Sequence, residues 1–209
     1  MAGEIAAVLL AAGESRRMGQ PKMLMPWGPT TVLGQVVSIF SAGLSSKLNR
    51  RIDSQPGIFV VTGGARLLVE AEMARLAEQY PLRMVYNPNY ALGGMVSSIQ
   101  AGLMALGPGI IAALISLGDQ PQVREKTVRQ ICTAFEHTGS PIVIPSFQNR
   151  RGHPWLAARA LWPELIALPS STTPRQFLDA HAAQIEYVPA DESILQDLDT
   201  PEDYNSQRP

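Results

Sequence analysis

Cysteine occurs once in the 209 residues, as Cys132. A single thiol excludes an internal disulfide framework and any cysteine-rich zinc site. Cys132 falls inside a helical pattern and reads as a small core residue. Charge is also scarce: 17% of the residues are Asp, Glu, Lys or Arg, and the net charge is −1. So even a balance argues against broad nucleic-acid binding and leaves room only for a local basic pocket. No apolar run approaches the length of a membrane span, and the first residues read as a strand, not a signal peptide. The expectation is a cytoplasmic protein with no nucleic-acid or membrane partner. Repeats and low-complexity tracts are missing too. What is plentiful is apolar residue, 45% of the chain, enough for a sizeable core in one large domain.

The apolar run Ile5 to Ala12 is short and continuous, as in a strand buried on both faces. Gly13 ends it, and the loop that follows carries Arg16, Arg17, Gly19 and Lys22. Glycines allow close backbone approach and three cations offset negative charge, so this loop can cradle a polyphosphate. It reads equally as an ordinary strand–helix turn with solvated arginines. Its spacing is neither the dinucleotide fingerprint nor a P-loop.

Along the chain, helical periodicity covers Thr31 to Ala42, and Gly43 to Gly57 reads as a polar surface excursion. Ile58–Thr62 is a second buried strand, followed by a helix from Ala65 to Gln79. Leu82–Tyr86 is a third strand, and Gly93-Gly94 leads into a helix from Met95 to Leu106. Ile110–Leu117 is the next strand, Arg124–Glu136 a helix and Pro141–Ile144 a strand. Gln148 to Pro154 is polar, Ala157–Leu168 and Pro174–His181 look helical, and Ile185–Val188 is a last strand. Four successive strand–helix alternations predict an α/β fold with a mostly parallel sheet and helices on both faces.

Ligands of such sheets collect beyond the carboxyl ends of the strands. The basic loop, Asn87 to Gly94, and Asp119 all fall there. Asp119, after an eight-residue apolar strand, reads by itself as a turn or cap aspartate before Pro121. On one sheet edge with a tri-basic loop, it points instead to Mg²⁺ with a triphosphate, since Mg²⁺ takes one or two carboxylates plus phosphates. Asp197-Leu198-Asp199-Thr200-Pro201-Glu202-Asp203 is a good helix start and also the candidate for a second carboxylate. Asp199 lies just before the cap and can turn towards a metal. His137 and His181 have no partner motif, Ser15 and Ser97 have no triad context, and His153 before Pro154 reads as a binding or structural residue.

Three motifs together carry a likeness. Leu10-Ala-Ala-Gly13-x-Ser15-x-Arg17-Met18-Gly19-x-x-Lys22, Leu117-Gly-Asp-Gln-Pro121 and Asp197-x-Asp199-Thr-Pro-Glu-Asp203 resemble the MobA-like nucleotidyltransferases, and within them the molybdenum cofactor cytidylyltransferases. The resemblance runs from about Ile5 to Tyr204. It implies a Rossmann-like three-layer α/β/α fold of the nucleotide-diphospho-sugar transferase type. It also implies one domain over 1–209, with 1–122 binding nucleotide and 123–209 forming an acceptor side and a metal-ligand tail. The implied reaction is attack by a phosphate-bearing acceptor on the α-phosphate of an NTP, with Mg²⁺ as cofactor and pyrophosphate released. The acceptor would be molybdopterin or its molybdenum cofactor, and a molybdoenzyme would receive the product.

Position by position, the resemblance puts Gly13, Arg17 and Lys22 on the triphosphate and gives the metal to Asp119 with Asp199. Arg17, Lys22 and Asp119 would then be the catalytic residues. Leu10, Ala11, Ala12, Asn87, Gly94 and Ser98 would bind the nucleoside, and Gly152, His153 and Arg175 the acceptor. The Ala11-Ala12 form resembles the cytidine-using branch, because guanylyltransferases of the group usually carry a second glycine there, so CTP is expected. GTP, a sugar or polyol phosphate acceptor, or nucleotide binding without turnover are the alternatives. Two stretches depart from the family pattern: the excursion Ser45–Gly57 is longer than usual, and Pro169-Ser-Ser-Thr-Thr-Pro-Arg175 keeps only the arginine of the usual G-D-x-G-A-R.

Overall fold

A computed structural model describes residues 3–13, 18–45 and 57–209. Its first strand, β1 (Glu4–Ala11), is buried almost throughout, and its side chains divide between two cores by simple alternation. Ile5, Ala7, Leu9 and Ala11 join one cluster, while Ala6, Val8 and Leu10 join the other. That is why the run is continuously apolar: both faces of the strand are covered.

After β1 come a 3-10 turn at Lys22–Leu24, a hairpin of β2 (Pro26–Trp27) and β3 (Thr30–Thr31), and helix α1 (Val32–Ser45). Thr31 starts the helix by accepting a hydrogen bond from the Gly34 amide at 3.0 Å. Strand β4 (Ile58–Thr62), helix α2 (Arg66–Ala77), strand β5 (Leu82–Tyr86), helix α3 (Gly94–Met104) and strand β6 (Ile110–Leu117) follow the expected alternation. Helix α4 (Glu125–Thr138) ends on Gly139, whose φ of +65° suits a left-handed cap. Cys132 is fully buried in the core under α4.

One sheet takes the order β10–β7–β9–β6–β1–β4–β5, with β7 at Ile142–Phe147, β9 at Trp155–Ala158 and β10 at Ile185–Pro189. Strands β1, β4, β5 and β6 pair in parallel, as do β7 and β10. Helices α1, α2 and α4 pack on one face; α3, α5 (Trp162–Ala167) and α6 (Pro174–Ala180) pack on the other.

The last third departs from the expectation in one respect. Ala157–Leu168 does not form one helix. Its start belongs to β9, which runs antiparallel between β6 and β7, pairing Leu114 with Leu156 and Val143 with Leu156. A 3-10 turn at Arg159–Leu161 separates it from α5, where Pro163 occupies the first turn. Pairing to two buried strands outweighs helix propensity here. The polar stretch before it folds as a hairpin: Gln148 and Asn149, both with positive φ, turn β7 into β8 (Arg150–Arg151).

A third, smaller cluster pins the C-terminal segment. Leu198 and Tyr204, the latter in α7 (Pro201–Gln207), pack on Met18, Met25, Trp27 and Val32, and the Tyr204 hydroxyl donates to the Pro26 carbonyl.

Candidate active site

Strand order reverses between β1 and β6. From β1 the chain winds outward through β4 to β5, then crosses back over the other face to reach β6. Beyond the carboxyl ends of two such strands the helices diverge and leave a crevice. Leu10 pairs with Leu117 at these ends, and the Gly118 amide donates to the Leu10 carbonyl at 2.9 Å. A side chain at Gly118 would meet Leu10 O, Met23 Sδ and Ala11 Cβ at 3.2–3.4 Å, so glycine keeps the two strand ends together.

The crevice is a cavity of about 730 Å³. Leu10, Ala12, Gly13, Lys22, Gly94, Ser98, Asp119 and Asp199 all lie on its wall. Arg17, with Arg16 and Ser15, falls outside the described residues, as does most of the excursion Ser45–Gly57.

At the centre stands Lys22. Its Nζ forms an ion pair with Asp119 and a 3.1 Å contact with Asp199 Oδ1, joining the two ends of the chain at one point. Burial works against its charge, but the field of Asp119 and the hydrogen bonds to Asp119 and Asp199 outweigh it and raise its pKa above the ordinary 10.5. The lysine is aimed by its neighbour Met23, which is buried in the core. Asp119 is aimed by the end of β6. Asp199 is aimed by the clip: Leu198 is 1% exposed, and Thr200 and Asp203 form a capping box that starts α7.

Sequence reasoning placed Asp197 in the candidate stretch but singled out Asp199 and gave Asp197 no role of its own. It lines the same cavity and accepts from Gln120 Nε2 at 2.8 Å. Alternate residues of an extended segment face the same way, so Asp197 and Asp199 flanking an inward Leu198 was a usable signal. Tyr90 also lines the cavity, with its Cβ beside Gly63, where no polar pattern marked it.

Two expected nucleoside contacts are not on the wall. Ala11 turns into the α1/α2 core at 1% exposure. Asn87 is 2% exposed, and its Nδ2 donates to Ser97 Oγ at 2.9 Å and Ser98 Oγ at 3.0 Å, while its Oδ1 accepts from the Asn89 amide. Asn87 therefore ties the β5–α3 turn to α3 and orients Ser98 from behind. A hydroxyl that accepts from Asn87 has its own proton to offer to the cavity. Gly94 takes a φ of +56° where α3 begins, so the helix N-terminus faces the same space.

Gly152, His153 and Arg175 come together in a second cavity, of about 1050 Å³, with Arg150, Arg151 and Asp179. Met95 lines both cavities, so the two adjoin. A Cβ on Gly152 would stand 2.3 Å from the Ile194 carbonyl oxygen. His153 precedes a cis peptide to Pro154, and its Nδ1 is buried without a hydrogen-bond partner. Burial lowers its pKa below the ordinary 6.5, opposed by a backbone hydrogen bond with Ile115 and by the fields of Asp197 and Asp119. Arg151 donates to Tyr187 Oη at 2.9 Å and to Asp179 Oδ1 at 2.6 Å. The variant stretch before Arg175 makes a helix start, with Thr173 and Gln176 in a capping box.

His181 is a structural residue, bound to the Phe177 carbonyl at 2.9 Å and to Glu164 at 3.2 Å. Among the described residues no group of three or more His, Cys, Asp or Glu is arranged to hold a metal, and no helix is long and apolar enough to cross a membrane. At the cavity centre two carboxylates, Asp119 and Asp199, share the Lys22 ammonium.

The MobA-like NTP transferase domain matches residues 7–185. The chain belongs to that family. It is a nucleotidyltransferase with the nucleotide-diphospho-sugar transferase type of fold. It is 28% identical over 205 residues to the molybdenum cofactor cytidylyltransferase of Escherichia coli K12, covering 96% of this chain and 93% of the relative. It is also similar to the crystal structure of Rv0371c from Mycobacterium tuberculosis H37Rv, at a TM-score of 0.78 and 27% identity over 99% of this chain and 97% of that one. A second crystal structure of that protein is a complex with manganese; there the TM-score is 0.74 and the identity 26%, over 99% of this chain and 98% of that one.

Proposed function

We propose that this family member transfers CMP from CTP to the phosphate of molybdopterin or the molybdenum cofactor and releases pyrophosphate. One observation carries the proposal: Lys22, Asp119 and Asp199 converge in the switch-point cavity, next to the cavity that holds Gly152, His153 and Arg175. An oxygen of the acceptor phosphate attacks the α-phosphorus. The bond from that phosphorus to the bridging oxygen breaks, and pyrophosphate leaves with the electron pair. Protein has little covalent work to do in such a step beyond holding the reactants in line and offsetting charge. Lys22 and Arg17 supply cations for the triphosphate. Leu10, Ala12, Gly13, Gly94 and Ser98 hold the nucleotide, with Ser98 donating from α3. The acceptor phosphate is already ionised, so no side chain has to remove a proton, and His153 serves to bind.

Asp119 and Asp199 would hold Mg²⁺. The donor set fits a hard cation: both groups offer oxygen, and the Lys22 ammonium between them marks a point where positive charge is already stable. When bound, the ion would neutralise charge on the phosphates and polarise the α-phosphate. A cytoplasmic location and delivery of the product to a molybdoenzyme belong to the same reading.

The test is pyrophosphate release with each of the four NTPs, Mg²⁺ and molybdopterin. CTP is expected to be preferred. Preference for GTP overturns the cytidine assignment, and turnover only with a sugar or polyol phosphate overturns the acceptor. Tight CTP binding with no pyrophosphate from any acceptor makes the chain a nucleotide-binding protein without turnover.

A further inference from the structure

The lysine that would bind the triphosphate sits on the two carboxylates that would bind the metal. One ammonium cannot stay there and also leave room for a divalent cation. We propose that Lys22 is an internal counter-ion that makes metal and triphosphate binding mutually dependent: the metal takes Asp119 and Asp199 only as Lys22 moves to the phosphates. The inference rests on the nucleotidyl-transfer reading above and adds a linkage that the reading does not contain.

The surroundings make this exchange costly when only half of it occurs. The side chains of Lys22 and Asp119 are 16% and 13% exposed, so their attraction is poorly screened by water. A metal arriving alone must push the Lys22 ammonium off both carboxylates inside a shielded pocket. A triphosphate arriving alone must pull Lys22 away from two carboxylates that are then left facing its own negative charge. Arriving together, the two ligands leave every charge with an opposite neighbour. Linkage is reciprocal, so each ligand tightens the other by the same factor. Asp199, half exposed and carried on the clipped tail, is the ligand with room to adjust as the exchange takes place. Asp197, held by Gln120 beside the same cavity, adds negative charge and strengthens the dependence.

The decisive variant behaves contrary to the usual expectation for a binding-site lysine. Lys22→Met removes the internal counter-ion, so free Mn²⁺, counted by its electron paramagnetic resonance signal with no nucleotide present, should bind about tenfold more tightly than in the wild type. Lys22→Gln, which keeps the length and a polar tip, should show the same direction and serves should the methionine variant fail to fold. In the Lys22→Met/Asp119→Asn double variant the gain should vanish. Mn²⁺ affinity unchanged or weakened in both single variants overturns the proposal, as does a gain that survives in the double variant. Equilibrium dialysis of CTP with Mn²⁺ on the wild type separates the two ideas. No uptake there defeats the nucleotide reading itself, whereas uptake without the Lys22 gain defeats only the exchange.

Discussion

Asp119→Asn removes one negative charge and little else, because the amide keeps the shape and Lys22 keeps its 3.1 Å contact with Asp199. Stability should fall by about 1–3 kcal/mol, since Lys22 loses one of its two carboxylates in a pocket poorly screened by water, and each kcal/mol is about 2–4 °C in melting temperature for a chain of this size. Catalysis should respond very differently. Asp119 is 13% exposed, so an effective dielectric of about 20 is appropriate, and one unit of charge lost at about 4 Å from a cation is then worth about 4 kcal/mol. At about 1.4 kcal/mol per tenfold, that is roughly three powers of ten in kcat/KM. The assay is pyrophosphate release from CTP at saturating Mg²⁺ and acceptor, run beside a thermal melt of the same preparation. A variant that melts normally and turns over at near wild-type rate would take Asp119 out of the reaction. One that melts far lower would show that the carboxylate matters for folding, and the estimate of its electrostatic role would not stand.

Other consequences can be checked more quickly. Leu198→Ala should cost about 2–5 kcal/mol, as other buried leucines do, and should also weaken Mn²⁺ uptake with CTP, because Asp197 and Asp199 flank it; a urea melt and metal titration read both. Gly152→Ala forces a Cβ onto Ile194 and should cost about 1–3 kcal/mol while raising KM for the acceptor and leaving that for CTP unchanged. Burial lowers the His153 pKa in the folded chain, so the unfolded chain takes up its proton first as pH falls. Its effect on stability should be nil above about pH 6.5 and increasingly unfavourable below it, a slope that His153→Asn removes when urea midpoints are compared from pH 7.5 to 5.5.

Most of the sheet could be read from the order of residues, and the reason lies in β1 and β6. Both are continuous apolar runs because both faces are covered, and each ends at the polar residues that face the crevice. The alternation of strand and helix then places those ends side by side, which is why Lys22 and Asp119 could be expected to meet. Strand β9 could not be found this way. Leu161, Leu165 and Leu168 recur at helical spacing, and nothing local separates them from Trp155–Ala158, whose conformation is decided by partners about forty residues upstream on β6. Asn87 misled for a related reason: a polar residue in a recognisable motif was read as a ligand contact, and only its burial and two serine partners reveal a bracing role.

The C-terminal tail shows how distant parts of the chain reach one site. Asp199 is 177 residues from Lys22, too far for any local pattern to aim it. What aims it is apolar: Leu198 and Tyr204 dock on the short hairpin that follows Lys22. The residues after β1 thus do two jobs, supplying the cation and building the surface that brings its second carboxylate. A change in Trp27 or Met25 should therefore alter metal binding without touching a ligand, through the same small cluster. Trp27→Ala tests this, since burial of the indole at 7% exposure puts its loss in the range of about 3–5 kcal/mol. If Mn²⁺ uptake with CTP persists undiminished in Trp27→Ala at a temperature where the sheet remains folded, the tail is held by something other than this cluster.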